Sequence, residues 1–174
     1  MKRFFIATIA VTMLASIASA NQGGGPGRGG EGYDDSAAIV ASNGTVFVTS
    51  SVIDTSTQTS TTTIKAINSS GSMIWTATLS NSRRLELSGS NLISTNQTTA
   101  SDGTVSTTLT AISTSSGSVA WTRTLSGRVT FLEPFSAGTY AIVVVPATSS
   151  GGSASRSLVA IGNDGSVLWT VSLT

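Results

Sequence analysis

The sequence predicts an all-β fold built from three successive units, each of about four antiparallel strands. A repeat is the first observation behind this prediction: the segments GSMIWTATL, GSVAWTRTL and GSVLWTVSL begin at Gly71, Gly117 and Gly165 and contain the three tryptophans of the chain. The second observation is periodicity, because no stretch carries an apolar face at helical spacing that is long enough for a helix.

The second unit shows the strand pattern most clearly. Its predicted strands cover residues 84–88, 91–96, 106–112 and 118–125. The Gly, Asp and Ser residues between them supply the backbone conformations that hairpin turns need. Four antiparallel strands in a unit of about 46 residues are typical of a propeller blade. We therefore expect one domain over residues 36–174, with blades at about 36–82, 83–127 and 128–174.

The third strand of each unit is apolar on both faces, as Ala66 and Ile67 illustrate in the first unit. A strand that is buried on both sides lies inside a stack of sheets, which blades packed face to face provide. In the fourth strand, strict alternation places Met73, Trp75 and Leu79 on one face.

The residues that the units share resemble the propeller repeat of the pyrroloquinoline-quinone (PQQ) type. That repeat has an Ala followed by an apolar residue, a turn that ends in Gly, an apolar pair and a Trp. The matching residues are Ala66, Gly71 and Trp75; Ala111, Gly117 and Trp121; and Ala160, Gly165 and Trp169. The resemblance implies that all nine are structural: Ala lets the sheets approach, Gly closes the hairpin, and Trp packs against the adjoining blade.

The same resemblance implies a non-enzymatic protein without a cofactor. Quinone dehydrogenases of this kind are much longer, and the resemblance gives no position in this chain for their cofactor, calcium or base contacts. Many relatives with this repeat are non-catalytic scaffolds in the bacterial envelope. The present sequence is similar to those, although it lacks their lipoprotein cysteine.

Three blades are fewer than the four to eight that close a typical propeller. Two architectures remain open: an open arc, or half of a six-bladed propeller formed by two identical chains. Exposed apolar end sheets would be association surfaces. The sequence therefore predicts self-association or another protein partner.

The N-terminus predicts export. Lys2 and Arg3 precede an apolar run, and Ala18-Ser19-Ala20 is typical of a signal peptidase site, so we expect residues 1–20 to be a signal peptide. Residues 21–35 form a Gly-rich flexible lead. The mature chain is then secreted, extracellular or periplasmic, and has no membrane span.

Composition excludes several chemistries. Loss of Lys2 and Arg3 leaves fewer basic than acidic residues, so binding of nucleic acid is not expected. The absence of His and Cys excludes a Ser-His-Asp triad, disulfides, and the usual zinc and iron–sulfur sites. We therefore predict no catalytic residue and no metal site.

Carboxylates are the remaining candidates for chemistry. Glu86 and Glu133 lie in the opening strands of the second and third units, where a glycosidase pair is one interpretation. Solvation, or pairing with Arg83, Arg84 and Arg128, is favoured.

Asp102-Gly103 and Asp164-Gly165 invite a calcium interpretation. Calcium loops space several oxygen ligands across one loop, and these segments have only one or two carboxylates each. Ordinary Asx turns are therefore favoured.

Arg123 is the one charge in the Trp-bearing face of a fourth strand, where the sister units have Ala77 and Val171. It is expected to stack on an aromatic ring, pair with a carboxylate or extend to solvent. The alternative is that Arg123 anchors an anionic partner.

Three functions follow, in order of preference: a binding or scaffolding module, a self-assembling structural subunit, and a carbohydrate-binding module that uses Trp and hydroxyl groups on a polysaccharide. Asn43, Asn68 and Asn96 match the N-glycosylation pattern, although chance matches are expected in a chain so rich in Ser and Thr.

Overall fold

A computed structural model describes residues 37–41, 43–147 and 152–173 of the chain. The predicted signal peptide (1–20) and Gly-rich lead (21–35) lie outside the described residues. Within the described ranges there are twelve strands, arranged as three four-stranded antiparallel sheets, and no helix. This part of the chain therefore contains no helix that is long and apolar enough to cross a membrane. The all-β fold class and the three propeller-like blades are confirmed.

Each blade is a meander whose strands lie in chain order. Blade 1 comprises β1 (Ala37–Val40), β2 (Val46–Asp54), β3 (Thr59–Ile67) and β4 (Met73–Ser80). Blade 2 comprises β5 (Arg84–Ser88), β6 (Asn91–Thr99), β7 (Val105–Ser113) and β8 (Val119–Ser126). Blade 3 comprises β9 (Arg128–Phe135), β10 (Gly138–Val145), β11 (Ser155–Gly162) and β12 (Val167–Ser172).

The predicted strands of blade 2 all exist, and their bounds differ only at the ends. The largest difference is in β6, which continues to Thr99 and ends opposite Val105 of β7. The predicted strand ended at residue 96, before the segment that holds the turn-forming residues Ser101, Asp102 and Gly103. Threonine is β-branched and favours a strand, so the ladder extends through it.

A β-bulge changes one predicted face of the fourth strand. The register shifts between Ala66 and Ile67, so that Trp75 pairs with Ala66 whereas Met73 pairs with Ile67. Successive strand residues point to opposite faces. The prediction that Met73 and Trp75 share a face is therefore wrong. The same shift recurs in blades 2 and 3, which makes the bulge a feature of the repeat.

Two hydrophobic layers fill the spaces between the blades. The layer between blades 1 and 2 contains Phe47, Ile64, Ala66, Trp75, Leu92 and Ile112. The layer between blades 2 and 3 contains Ile93, Leu109, Ala111, Leu132, Ala141, Val143, Val159 and Ile161. Strand β7 contributes to both layers, because Leu109 and Ala111 lie in the layer with blade 3 and Ile112 lies in the layer with blade 1. The apolar residues predicted on both faces of this third strand are therefore buried, but the face of Ile112 also carries polar residues that are only half-buried.

A buried pair of hydroxyl groups also joins blades 2 and 3. Ser88 Oγ donates a hydrogen bond to the carbonyl oxygen of Gly138 at 2.8 Å, and Thr139 Oγ1 donates to Ser88 Oγ at 2.8 Å. Both side chains are almost completely buried. In the part of the chain that the structure describes, every buried side-chain polar atom has such a partner.

Replacement of Ser88 by Ala tests this contact. We expect the free energy of unfolding of the purified chain to fall by about 1–3 kcal/mol, because a buried carbonyl and a buried hydroxyl both lose their partner. Ser106→Ala is the matched control, since its hydroxyl pairs with Thr98 Oγ1 at 2.9 Å near solvent. Its effect in urea denaturation is expected to stay within about 0.5 kcal/mol. Equal losses in the two variants would contradict the assignment.

Candidate functional site

Trp75 packs on a turn of the next blade. Its side chain is 9% exposed, and its indole Nε1 donates a hydrogen bond to the carbonyl oxygen of Thr114 at 2.9 Å. The ring also covers Gly117, because a Cβ atom on that glycine would lie 2.6 Å from Cε3 of Trp75. We call this arrangement, an indole on a turn glycine with its N–H on the turn carbonyl, the Trp–turn contact.

The Trp–turn contact recurs between blades 2 and 3. Trp121 Nε1 donates to the carbonyl oxygen of Asn163 at 2.8 Å, and a Cβ atom on Gly165 would lie 2.7 Å from Cδ2 of Trp121. Both turn glycines have a positive φ, +73° and +81°, which favours glycine independently of the indole. One residue type therefore satisfies the turn conformation and makes room for the ring.

The three alanines of the repeat lie beside the tryptophans. Each alanine is fully buried and pairs across the sheet with the Trp of its own blade. These pairs are Ala66 with Trp75, Ala111 with Trp121, and Ala160 with Trp169. A side chain no larger than a methyl group leaves the indole room to lie between the sheets.

Trp169, the third tryptophan, has a different environment. Its side chain is 43% exposed. It contacts Tyr140 at a ring-centroid distance of 5.7 Å, and Tyr140 stacks on Phe135 at 4.2 Å. Among the described residues, no turn glycine lies under the Trp169 ring. Blade 3 thus presents an indole without a turn.

The turn of blade 1 is the counterpart without an indole. Its backbone hydrogen bonds repeat those of the blade 3 turn, which places Ser69 at the position of Asn163. Gly71 has a φ of +81°, the same as Gly165. A Cβ atom on Gly71 would meet no atom of the described residues within 4 Å, so these residues leave open the space that an indole occupies in the other two turns.

Arg123 lies at the contact between blades 2 and 3. Its Nε donates a hydrogen bond to the carbonyl oxygen of Gly165 at 2.8 Å, on the turn that Trp121 also covers. This contact favours the structural interpretation of Arg123. The alternative, an anchor for an anionic partner, stays a prediction.

The sequence reasoning missed a cleft lined by three arginines. The cleft has a volume of about 320 Å³ and is lined by Arg83, Arg84, Thr95, Gln97, Thr107, Arg128, Val129 and Thr130. None of these residues is acidic, so the cleft attracts anions such as carboxylates and phosphates. The signal in the sequence was that arginines open the first strand in two neighbouring units.

The structure brings Glu86 and Glu133 near enough to influence each other. Burial raises the pKa of Glu86 above its usual value, the charge of Arg84 opposes that rise, and the charge of Glu133 adds to it. Neither carboxylate lines the arginine cleft. Their placement adds no support for the glycosidase interpretation. Solvation of the two carboxylates, or their pairing with nearby arginines, stays a prediction.

The predicted Asx turns are confirmed. Asp102 Oδ1 accepts a hydrogen bond from the backbone N–H of Thr104 at 2.8 Å. Asp164 Oδ1 accepts from the hydroxyl of Ser166 at 2.7 Å and from its backbone N–H at 3.0 Å. These bonds hold the pKa of both carboxyls below the usual range. In the described ranges, no three His, Cys, Asp or Glu side chains gather as metal ligands would.

A scan against protein-family models and a search of curated proteins find no match to this chain. The resemblance to the PQQ-type repeat therefore stays an interpretation of the nine repeat residues.

Replacement of Gly117 by Ala tests the Trp–turn contact. We expect a loss of about 2–4 kcal/mol in the free energy of unfolding, because an L side chain at positive φ costs about 1–2 kcal/mol and the methyl group overlaps the Trp75 ring. Gly103→Ala is the matched control: its φ is +84° and its Cβ atom would meet nothing within 4 Å. The difference between the two variants in denaturant unfolding measures the overlap alone. Equal losses would show that the indole does not depend on the glycine.

Replacement of Glu86 by Gln tests the buried carboxylate. Since the folded pKa of Glu86 is raised, its stabilising contribution is present at pH values below about 4.5 and is lost as the pH rises through the folded pKa. The variant is expected to be more stable than the parent at pH 7, by less than about 1 kcal/mol because the side chain is partly solvated. At pH 4 the difference should shrink. Glu133→Gln leaves the burial of Glu86 unchanged and should gain less in the same unfolding experiments.

Proposed function

We propose that the mature chain is a non-enzymatic propeller-repeat protein that binds or scaffolds other macromolecules at or outside the cell envelope. The end sheet of blade 3 is the observation that supports this proposal best. All of β12 is exposed. Five of the twelve exposed large apolar side chains among the described residues lie there or immediately after it: Val167, Leu168, Trp169, Val171 and Leu173.

This concentration of apolar side chains is unusual for a surface without a partner. Exposed apolar patches on soluble proteins mark surfaces for association. Among the described strands, β12 also lies at the edge of its sheet, a position from which a strand can pair with another chain. Both properties support a binding surface on blade 3.

Export is part of the proposal and rests on the N-terminal pattern. The basic residues Lys2 and Arg3, the apolar run and the Ala18-Ser19-Ala20 triplet support a cleaved signal. A propeller of the PQQ type, used as a scaffold and without cofactor, is the family context that we propose.

Self-assembly is the second candidate, and a specific observation favours it. The Trp169 indole is exposed on one end blade, and the Gly71 turn is open on the other. A polysaccharide site receives less support, because Trp75 and Trp121 both donate their indole N–H to a neighbouring blade.

A photo-crosslinking experiment tests whether the blade 3 surface binds another molecule. A photoreactive residue at Val171, which is 50% exposed on β12, is expected to form discrete adducts in cells that export the full chain. The control position is Val52, which is 70% exposed in β2 and should give few adducts. The proposal would be contradicted if no adducts formed at Val171, or if the two positions gave equal amounts of adduct.

A further inference from the structure

We infer that Trp169 of one chain docks on the Gly71 turn of a second copy, and so repeats between chains the Trp–turn contact that joins the blades within each chain. The inference rests on the proposed self-assembly and names its partner and its atoms. In this contact the Trp169 ring covers Gly71, and the indole N–H donates to the carbonyl oxygen of Ser69.

The two contacts inside the chain define what the docking needs. Each has an indole on a turn glycine of positive φ, and each has the N–H on the carbonyl two or three residues earlier, at 2.9 Å and 2.8 Å. The Gly71 turn has the same φ and the same backbone hydrogen bonds as the Gly165 turn. The docking surface is therefore already formed in the free chain.

Blades 1 and 3 also have apolar residues that are buried in the other blades but have no neighbouring blade to cover them here. In blade 1, Ile67 is only half-buried, whereas its counterparts Ile112 and Ile161 are almost fully buried. In blade 3, Leu158 is half-buried, whereas its counterparts Ile64 and Leu109 are fully buried. These side chains lie on the two faces that a further blade would cover, so each end presents one half of the same interface.

A second copy is the partner that supplies the missing half at both ends. The indole and the open turn lie on different blades of one chain, so their pairing is head-to-tail. A head-to-tail pairing makes a ring where the rotation closes and a chain of copies where it does not. Two copies bring six blades together, which is within the range of closed propellers. We expect a ring of two chains with two identical contacts.

One difference from the contacts within the chain suggests a variant that should associate more tightly than the parent. Between blades 2 and 3, Arg123 adds a hydrogen bond to the Gly165 carbonyl at 2.8 Å. Its counterpart in blade 3 is Val171, which has no donor. Replacement of Val171 by Arg should supply the same bond to the Gly71 carbonyl of the second copy. We expect this variant to dimerise about 3–10-fold more tightly.

The principal experiment measures the mass of the purified exported chain by light scattering and sedimentation over a range of concentrations. The parent is expected to have the mass of two chains. Trp169→Thr and Gly71→Ala should each raise the dissociation constant at least about tenfold, because the first removes the indole and the second puts a methyl group in its place.

Each variant has a matched control. Val52→Thr removes a more exposed apolar side chain from the same face as Ile67, at a position whose blade 2 counterpart, Thr98, stays exposed beside blade 1. Gly103→Ala has the same backbone strain as Gly71→Ala and is equally open among the described residues. Both controls should keep the mass of two chains. The methyl group of Gly71→Ala would meet no described atom of its own chain, and Gly103→Ala carries the same backbone strain. A loss of association in Gly71→Ala alone would therefore not come from a defect in folding.

A mixture of the two docking variants gives the most specific result. Trp169→Thr keeps an intact Gly71 turn, and Gly71→Ala keeps an intact Trp169. At a concentration at which each variant alone is monomeric, the mixture should therefore form a 1:1 complex through one contact. Longer assemblies that disappear in both variants would also support the docking and would show an arc that does not close.

Two results would overturn the inference. Association of the parent that persists in both docking variants would show that the chains meet elsewhere, while the proposed binding surface would survive. A parent that stays monomeric at high concentration would remove the second copy as partner. Crosslinks from Val171 to a different molecule would then still support the proposed function.

Discussion

The contact between an indole and a turn glycine is the interaction on which the arrangement of the blades depends. The turn requires a positive φ, which favours glycine, and the missing side chain leaves a flat surface for the ring. The indole N–H donates a hydrogen bond to a turn carbonyl oxygen that would otherwise need water as its partner. Backbone conformation, packing and hydrogen bonding therefore converge on the same two residue types. This convergence explains why Trp75 lies on Gly117 and Trp121 lies on Gly165.

In a stack joined by such contacts, stability comes from each blade and from its contacts with the adjacent blades, as in other repeat proteins. Blade 2 lies in both hydrophobic layers, whereas blades 1 and 3 each lie in one. Repeat proteins commonly end in polar capping repeats that keep the terminal faces soluble. Blade 3 has no such cap in the described residues, since β12 exposes apolar side chains along its length. The packing that joins the blades thus leaves the outer face of blade 3 apolar among the described residues.

Much of the fold could be predicted from the sequence because the repeat marks equivalent strands three times. The positions of Gly and Trp located the last hairpin of each blade, and apolar residues on both faces located the third strand. The bulge beside Ala66 was missed because periodicity counts residues and carries no information on backbone register. The arginine cleft was missed for another reason: Arg84 and Arg128 line one cleft only through the packing of two blades. The exposure of Trp169 likewise depends on tertiary packing, since no turn glycine of the described residues lies under its ring.

Polar contacts differ between the blade interfaces, although the Trp–turn contact is shared. Between blades 2 and 3, Asn91 Nδ2 donates to the Asn163 carbonyl at 3.1 Å, and Arg123 and Ser88 add further bonds. Repeats with similar apolar faces risk docking in the wrong order, because the hydrophobic contribution alone does not distinguish one turn from another. Buried polar groups discriminate, since a wrong partner leaves them unpaired. The constant indole contact therefore supplies the attraction between blades, and the variable polar contacts specify which blade follows which.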